Sequence, residues 1–499
     1  MSGSALVVGG GIAGLLAARR LNQQGWEVTL AEATSVLGGT LSARFLDVPS
    51  VSDSGAVERQ TLELDGGAES FAVRGAAVRA LVDELGLGDD VVSPEPLGSW
   101  LHGPAGAVPA PRVGLVGIPG DLDAPDVAAA LSPAGLERAR RDLTEPMDRW
   151  AAARAAGEPV TVAALVADRL GDDVLERLVV PVVGGVHSAD PAVVDVERVA
   201  PGLLAAAVEQ GSLARGVAAL RGGQTPGAAV AGVDGGMAKV TGRLVQTLRE
   251  DGVTVLRGVR VAALSRLGAD GRWWAQISDR DEEVVRGLEA DRVVLAVDGV
   301  AAWELLAPVS GDAVDPDAGP ALGEGVALAT LVVEAPGMDA APRGTGLLVA
   351  PGTDVRAKAL THSTAKWAWL RSVVDRPDES GAPRHPHRHV LRLSYGRHGG
   401  AAGDLGFRSA DEDLLAAAVA DAEALTGVEL SADDVLASTV TRWRRPIPPQ
   451  HGPDREAMDR LIAWAQDVPG LDLVGSWVHG TGLAAVVAGV ERTVAPAAA

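Results

Sequence analysis

The sequence predicts an α/β protein, α+β overall, in which a nucleotide-binding unit is interleaved with a helical region and a mixed sheet. Three observations carry this. Residues 5–21, ALVVGGGIAGLLAARRL, read as a buried strand, a glycine turn and a helix start. Residues 124–220 are rich in Ala, Leu, Arg and Glu at helical spacing. Strand-like runs then recur, and a strand, a glycine turn and a helix return at the C-terminus as LDLVGSWVHGTGLAAVVAGVERTV.

Each element follows from its local pattern. EVTLAEA (27–33) reads as a second strand, and the polar stretch 49–60 as a surface hairpin or loop before TLELDGGAESF resumes regular structure. Over 75–87 the apolar Val78, Leu81, Val82 and Leu85 share one helical face. Gly and Pro over 97–119 predict short strands and turns. After the helical block, a Gly-rich loop (221–236) leads into the helix MAKVTGRLVQTLRE. TVLRGVRVAAL, RWWAQISD, DRVVLAVDG, ALATLVVEA, GTGLLVA and HVLRLSYG read as strands, and STAKW as a strand carrying Lys366. DEDLLAAAVADAEALTG reads as a helix with acids in its first turn, where the helix dipole favours them. No fixed-period repeat is present.

Composition narrows the chemistry. The 499 residues are 47% hydrophobic and 22% charged, enough to build a large core. No apolar run approaches the length of a membrane span, and the N-terminus lacks the layout of a signal peptide, so a cytoplasmic protein is expected. There is no cysteine, which excludes disulfides, thiolate metal sites and thiol redox centres, so any redox chemistry belongs to a bound cofactor. A formal charge of −22 disfavours nucleic acid and anionic membrane surfaces, and an anionic substrate would need a local basic pocket. Lysine is confined to Lys239, Lys358 and Lys366.

Gly9-x-Gly11-x-x-Gly14 fits a pyrophosphate turn. Gly9 permits the turn, Gly11 lets the phosphates approach the backbone, and Gly14 lets helix and strand pack. The helix N-terminus then offers N–H groups to phosphate. Glu32 lies 18 residues beyond Gly14, ends the second strand, and would bond a ribose while repelling a 2′-phosphate. Gly38-Gly39-Thr40 follows closely, a glycine pair for which a nicotinamide dehydrogenase has no specific need. At the far end, Gly475 and the GTGL turn open a helix whose N-terminus would stabilise a reduced, anionic flavin ring.

These three turns in this order resemble the FAD-dependent amine oxidase-like superfamily. The chain is similar, more narrowly, to the bacterial oxygen-dependent porphyrinogen oxidases, which act on coproporphyrinogen III or protoporphyrinogen. The resemblance spans nearly the whole chain: VVGGGIAGL, LDGGAESF, VPAPRVGLVGIP, PVVGGVHSADPAVVDVERVAPGL with EQGSLARG, KALTHSTAKW, LRLSYGR and VTRWRRPIPPQHG. The VHSADP and GSLARG segments separate it from monoamine oxidases and carotene desaturases. Family members usually carry a basic residue where Thr40 stands and a tyrosine where His451 stands.

The resemblance implies a Rossmann-type FAD-binding domain in three parts (1–90, 223–300 and 441–499), a helical domain facing substrate or membrane (91–222) and a mixed-sheet substrate domain (301–440). It implies FAD held by Gly9, Gly10, Gly11, Ile12, Ala13 and Gly14, by Glu32 and Ala33, and by Thr40. Gly67, Ala68, Glu69 and Ser70 would pass the flavin. Val261 would meet the adenine through its backbone, Trp443 would lie near the isoalloxazine, and Thr481, Gly482 and Leu483 would close the site. The flavin carries the redox step, so no catalytic acid, base or metal is assigned. Arg74 and Lys366 are the expected contacts of substrate propionates.

The implied reaction is oxidation of coproporphyrinogen III to coproporphyrin III in haem biosynthesis, with dioxygen reduced to hydrogen peroxide. Four propionates make that substrate suited to a chain with no membrane span. Protoporphyrinogen IX is the alternative, with peripheral membrane contact and a downstream haem-pathway enzyme as expected associations. An amine or polyene oxidase is a further alternative, although one Tyr and three Phe leave little for the aromatic cage of an amine site. A non-catalytic flavin-binding porphyrin carrier is the remaining one. Among residues set aside, His385, His387 and His389 in RHPHRH alternate like metal ligands, but the prolines and charges around them predict an exposed loop. His187 and His479 are expected to be structural. Arg442, Arg444 and Arg445 are too few for nucleic acid.

Overall fold

The computed structural model describes residues 3–52, 56–73, 75–186, 189–222, 230–267, 271–279, 285–315, 319–320, 325–397, 403–444 and 452–496. Its centre is a five-stranded parallel sheet in the order Thr254–Arg257, Glu27–Glu32, Ser4–Val8, Arg292–Leu295 and Leu471–Leu473. The chain leaves Ser4–Val8 toward one side and later fills the other, so the strand order reverses there. Open α/β sheets bind ligands at such a reversal, beyond the strands' C-terminal ends. Val7, Leu30, Val294 and Leu295 are fully buried, as a sheet covered on both faces requires. Helices Ile12–Gln23, Ala238–Glu250 and Leu483–Thr493 cover one face through Leu16, Leu244 and Val490. The other face packs on Trp273, Leu306 and Leu461.

A seven-stranded, mostly antiparallel sheet forms the second layer. Its order is Val435–Trp443, Val326–Glu334, Arg388–Tyr395, Ala359–His362, Gly346–Val349, Trp100–Gly103 and Gly106–Pro109, so the 91–222 segment lends it two strands. Alternation gives this sheet two characters. Leu331, Val333, Leu391 and Leu393 pack on the helix Asp411–Thr426. Val332 and Val390 pack instead on a hairpin, Ala43–Val51 with Val57–Asp65, which extends beyond the polar stretch 49–60 read from sequence as a hairpin or loop.

Two short segments depart from their predicted form. Ser363–Lys366 is a helical turn, not a strand: the strand Ala359–His362 ends first, and the Thr364 hydroxyl accepts from the Val390 amide at 3.2 Å. Side-chain bonds of this kind draw Ser and Thr out of sheet ladders. Likewise LDLVGSWV is extended only to Leu473. Gly475 takes φ +126°, and Ser476–His479 coils into a helical turn.

The helical region is organised around one buried acid. Asp142 is fully buried and accepts from Arg169 Nε at 2.7 Å, the Ser212 hydroxyl at 2.6 Å, and the amides of Leu213 and Ala214 at 3.0 and 2.9 Å. Ser212 caps the helix Leu213–Arg221, so the GSLARG segment is fixed by a carboxylate at its helix start. Nearby, Val116 has φ +54° in the turn between Gly114–Leu115 and Ile118–Pro119. The next residue, Gly117, lies against a π-helical segment, where an added Cβ would sit 2.2 Å from the Leu178 carbonyl. A β-branched residue in the left-handed region is strained. Val116→Gly relieves about 1–2 kcal/mol of that strain but gives up the packing of Val116 on the helical core and loosens the unfolded chain, so thermal unfolding should show a Tm close to that of the wild type. No helix among the described residues is long and apolar enough to cross a membrane.

Candidate functional site

Three glycine turns converge at the strand-order reversal. Gly14 faces the Gly9 carbonyl so closely that an added Cβ would stand 1.9 Å from it, and one on Gly9 would meet the Ala296 carbonyl at 2.6 Å. Gly11 precedes the helix Ile12–Gln23 with no side-chain cap, leaving the first-turn amides to a ligand. Ile12 and Ala13 start that helix over the core that Leu37, Leu483 and Ala484 also border. Gly10 is joined to the second turn, its carbonyl accepting from the Gly38 amide at 2.8 Å. Its own amide donates to Glu32 Oε2 at 2.7 Å, while Glu32 Oε1 accepts from the Thr34 amide and hydroxyl at 2.8 and 2.7 Å. Ala33 is exposed beside it.

Thr40 accepts from the Ala68 amide at 2.9 Å through its carbonyl, which stands 2.3 Å from where a Cβ on Gly67 would lie. Gly67, Ala68, Glu69 and Ser70 thus run directly along the second turn. Trp443 Nε1 donates to the Gly66 carbonyl at 2.9 Å, bringing the last strand of the mixed sheet to this segment. Val261 is buried beside a β-bulge, after a corner where the Gly258 amide donates to the Thr34 carbonyl at 2.9 Å. At the closing turn Thr481 and Gly482 are exposed, and Gly482 opens the helix Leu483–Thr493 with no capping side chain and no acid in its first turn.

Sequence reasoning missed a buried ionic group behind Glu69. Glu69 bonds Lys366 Nζ at 2.5 Å and pairs with Arg392 Nη2 at 3.1 Å. Burial alone would raise its carboxyl, but Arg392 and Lys366 together hold it below the usual range. Arg392 also donates to the Gly67 carbonyl at 2.8 Å, fixing the segment from behind. Asp65 accepts from the Ala238 amide at 3.1 Å, at the start of the helix Ala238–Glu250, and burial pushes it up to about 6. Asp65, Glu69, Thr330, Ser363 and Arg392 line a cavity of about 20 Å³, walled by Trp367 and Trp369. The legible signal was Arg392 itself, a cation set between Leu391 and Leu393 in the strand Arg388–Tyr395. Lys366, the expected propionate contact, carries an ion pair to Glu69 instead of standing alone. Arg74, His187 and His451 lie outside the described residues.

RHPHRH is only partly an exposed loop. His389 is in the strand Arg388–Tyr395 and 2% exposed. Its Nε2 lies 3.0 Å from Asp339 Oδ1, and its Nδ1 lies 3.0 Å from Nε2 of the buried His362. His387 bonds the other oxygen of Asp339 at 2.7 Å. Neutral rings satisfy this chain, His362 donating to His389 and His389 to Asp339. Burial lowers His362 to about 3 and His389 to about 4. The unfolded chain therefore binds more protons below pH 6.5, and stability should fall between pH 6.5 and 4 by roughly 1.4 kcal/mol per pH unit for each ring. Denaturant unfolding at stepped pH checks this, with His362→Gln/His389→Gln flattening the slope. His479 packs its ring on Gly489 in the closing helix.

The family model for flavin-containing amine oxidoreductases matches residues 12–493. The chain belongs to that family. Membership brings a flavin as the expected cofactor and agrees with the layered helix-and-sheet architecture. The chain is 30% identical over 502 residues to the coproporphyrinogen III oxidase of Mycobacterium tuberculosis (strain H37Rv), covering 98% of this chain and 96% of that one. It is 29% identical over 499 residues to the coproporphyrinogen III oxidase of Mycobacterium leprae, covering 99% and 98%. Among solved structures, the fold is similar to that of an Exiguobacterium sp. 255-15 protein described as a "Putative protoporphyrinogen oxidase", with TM-score 0.75, 22% identity, and 99% and 98% of the two chains covered. Cyclohexylamine oxidase from Brevibacterium oxydans IH-35A shares the fold at TM-score 0.60 and 17% identity, with 99% and 98% covered.

Proposed function

We propose that this chain is a cytoplasmic, FAD-dependent oxidase that converts coproporphyrinogen III to coproporphyrin III in haem biosynthesis, with dioxygen reduced to hydrogen peroxide. The observation that carries the reading is the end-to-end similarity to coproporphyrinogen III oxidases across 98% of the chain. The meeting of the glycine turns supports it, the Gly38 amide bonding the Gly10 carbonyl and Leu483 packing on the same core as Ile12 and Leu37. The residues present fit FAD. A Cβ on Gly11 would meet nothing nearer than the Gly39 Cα at 4.0 Å, leaving open space before uncapped amides.

Gly9 to Gly14 would receive the pyrophosphate, Glu32 and Ala33 the ribose, and the Val261 backbone the adenine. Thr40, Gly67, Ala68, Glu69, Ser70 and Trp443 would border the ring, with Thr481, Gly482 and Leu483 closing it. Bound FAD supplies the two-electron oxidation. The chain's part is to orient the tetrapyrrole, exclude water and place charge. The Glu69–Lys366–Arg392 group holds the flavin-side segment rigid. The uncapped start of Leu483–Thr493 places a positive dipole end where negative charge develops.

The test is direct. Purified, FAD-loaded protein should bleach anaerobically with coproporphyrinogen III. In air it should release porphyrin fluorescence and peroxide, faster than with protoporphyrinogen IX. Yellow protein that neither porphyrinogen bleaches would overturn the reading.

A further inference from the structure

We propose that Asp65 is the internal proton acceptor of the oxidation, receiving the proton released during substrate oxidation through the small, largely apolar cavity it shares with Glu69, Ser363 and Arg392. This rests on the oxidase reading above and deepens it.

Geometry singles out Asp65 from its neighbours. It belongs to the segment that meets Thr40 and Trp443, where the flavin ring is expected, and its cavity has room for one water with several polar partners. The other acid there, Glu69, is committed to Lys366 and Arg392 and stays ionised. Among the described residues Asp65 makes no ion pair. The helix start gives it backbone amides, and Arg392 stands near, but burial outweighs both and keeps its proton affinity close to the working pH. The groups facing it are Arg392 from the mixed sheet, Glu69 with Lys366 behind it, and the amides of Met237 and Ala238. Arg44, on the neighbouring strand, turns its guanidinium over Trp443 and donates to Ser42 and Ala43. Two acids thus face two partly buried cations, Lys366 and Arg392. Extra negative charge arriving on the adjacent ring favours the neutral form of Asp65.

The balance closes. Each cycle removes two hydrogens from the porphyrinogen. One leaves the bridge carbon with the electron pair, which the flavin accepts. The other leaves a pyrrole nitrogen as a proton and neutralises the Asp65 carboxylate. Dioxygen then takes the electron pair and two protons, one of them from Asp65, and departs as hydrogen peroxide.

Proton counting tests this without substrate. FAD-loaded protein is photoreduced anaerobically with a pH indicator present. At pH 7.5 the wild type should take up one more proton per flavin than Asp65→Asn, and the difference should vanish at pH 5, where Asp65 is already neutral. Equal uptake at pH 7.5 would overturn the proposal. Should Asp65→Asn not hold FAD, infrared difference spectra of the wild type decide instead: a protonated-carboxyl band must appear on reduction, and its absence overturns the proposal. If coproporphyrinogen fails to bleach the flavin while the proton difference persists, the substrate reading fails and the role of Asp65 stands.

Discussion

Gly11→Ala is expected to yield a folded protein without flavin colour. At φ −73° and ψ 178° alanine is sterically comfortable there, and its Cβ would come no closer than 4.0 Å to the facing Gly39 Cα. The unliganded protein should therefore keep its Tm. The same methyl would stand where the pyrophosphate must approach the uncapped amides. Loss of two hydrogen bonds to a charged acceptor, at about 1.5–3 kcal/mol each, weakens FAD binding by ~100-fold or more. Gly14→Ala makes the useful contrast. Its Cβ would collide with the Gly9 carbonyl, so it should lower Tm and FAD affinity together. Equilibrium binding of FAD to unliganded protein, paired with thermal unfolding, separates a ligand-facing glycine from a packing one.

The second large effect lies far from that groove. Asp142→Ala should destabilise the helical region by about 3–5 kcal/mol, because it strands a buried guanidinium. Arg169 and Asp142 are 3% and 0% exposed at their side chains, so water cannot replace the lost partner. The amides of Leu213 and Ala214 and the Ser212 hydroxyl lose their acceptor as well. Thermal unfolding should show a drop on the order of 10 °C. The exposed pair Arg79–Asp83 is the control: Asp83→Ala should change stability by less than about 0.5 kcal/mol, since surface pairs contribute little.

The nucleotide-binding half was legible because its signals are local. A strand, a glycine turn and a helix stand within one short stretch, and Val78, Leu81, Val82 and Leu85 are buried as their spacing predicts. The ionic group behind Gly67–Ser70 was not legible, because Glu69 lies 297 residues before Lys366 and still further from Arg392, and they meet only when the sheet stacks on the hairpin. STAKW was misread for a related reason: its apolar pattern is too short to distinguish a helical turn from a strand. His389 was misread because Pro386 and the flanking charges are loop signals, whereas its neighbour across the sheet, His362, lies 27 residues earlier.

The first and last strands of the parallel sheet, Ser4–Val8 and Leu471–Leu473, come from opposite ends of the chain and are separated only by Arg292–Leu295. During synthesis the sheet therefore cannot be completed until residues 471–473 have emerged from the ribosome. A nascent chain halted anywhere before residue 471 carries the opening glycine turn but lacks the edge strand and the closing helix. Under the proposed function, flavin loading would therefore require the strand Leu471–Leu473 and the helix Leu483–Thr493 to be in place. A product cut short of residue 471 leaves the strand Arg292–Leu295 as an unpaired sheet edge, exposed to proteolysis.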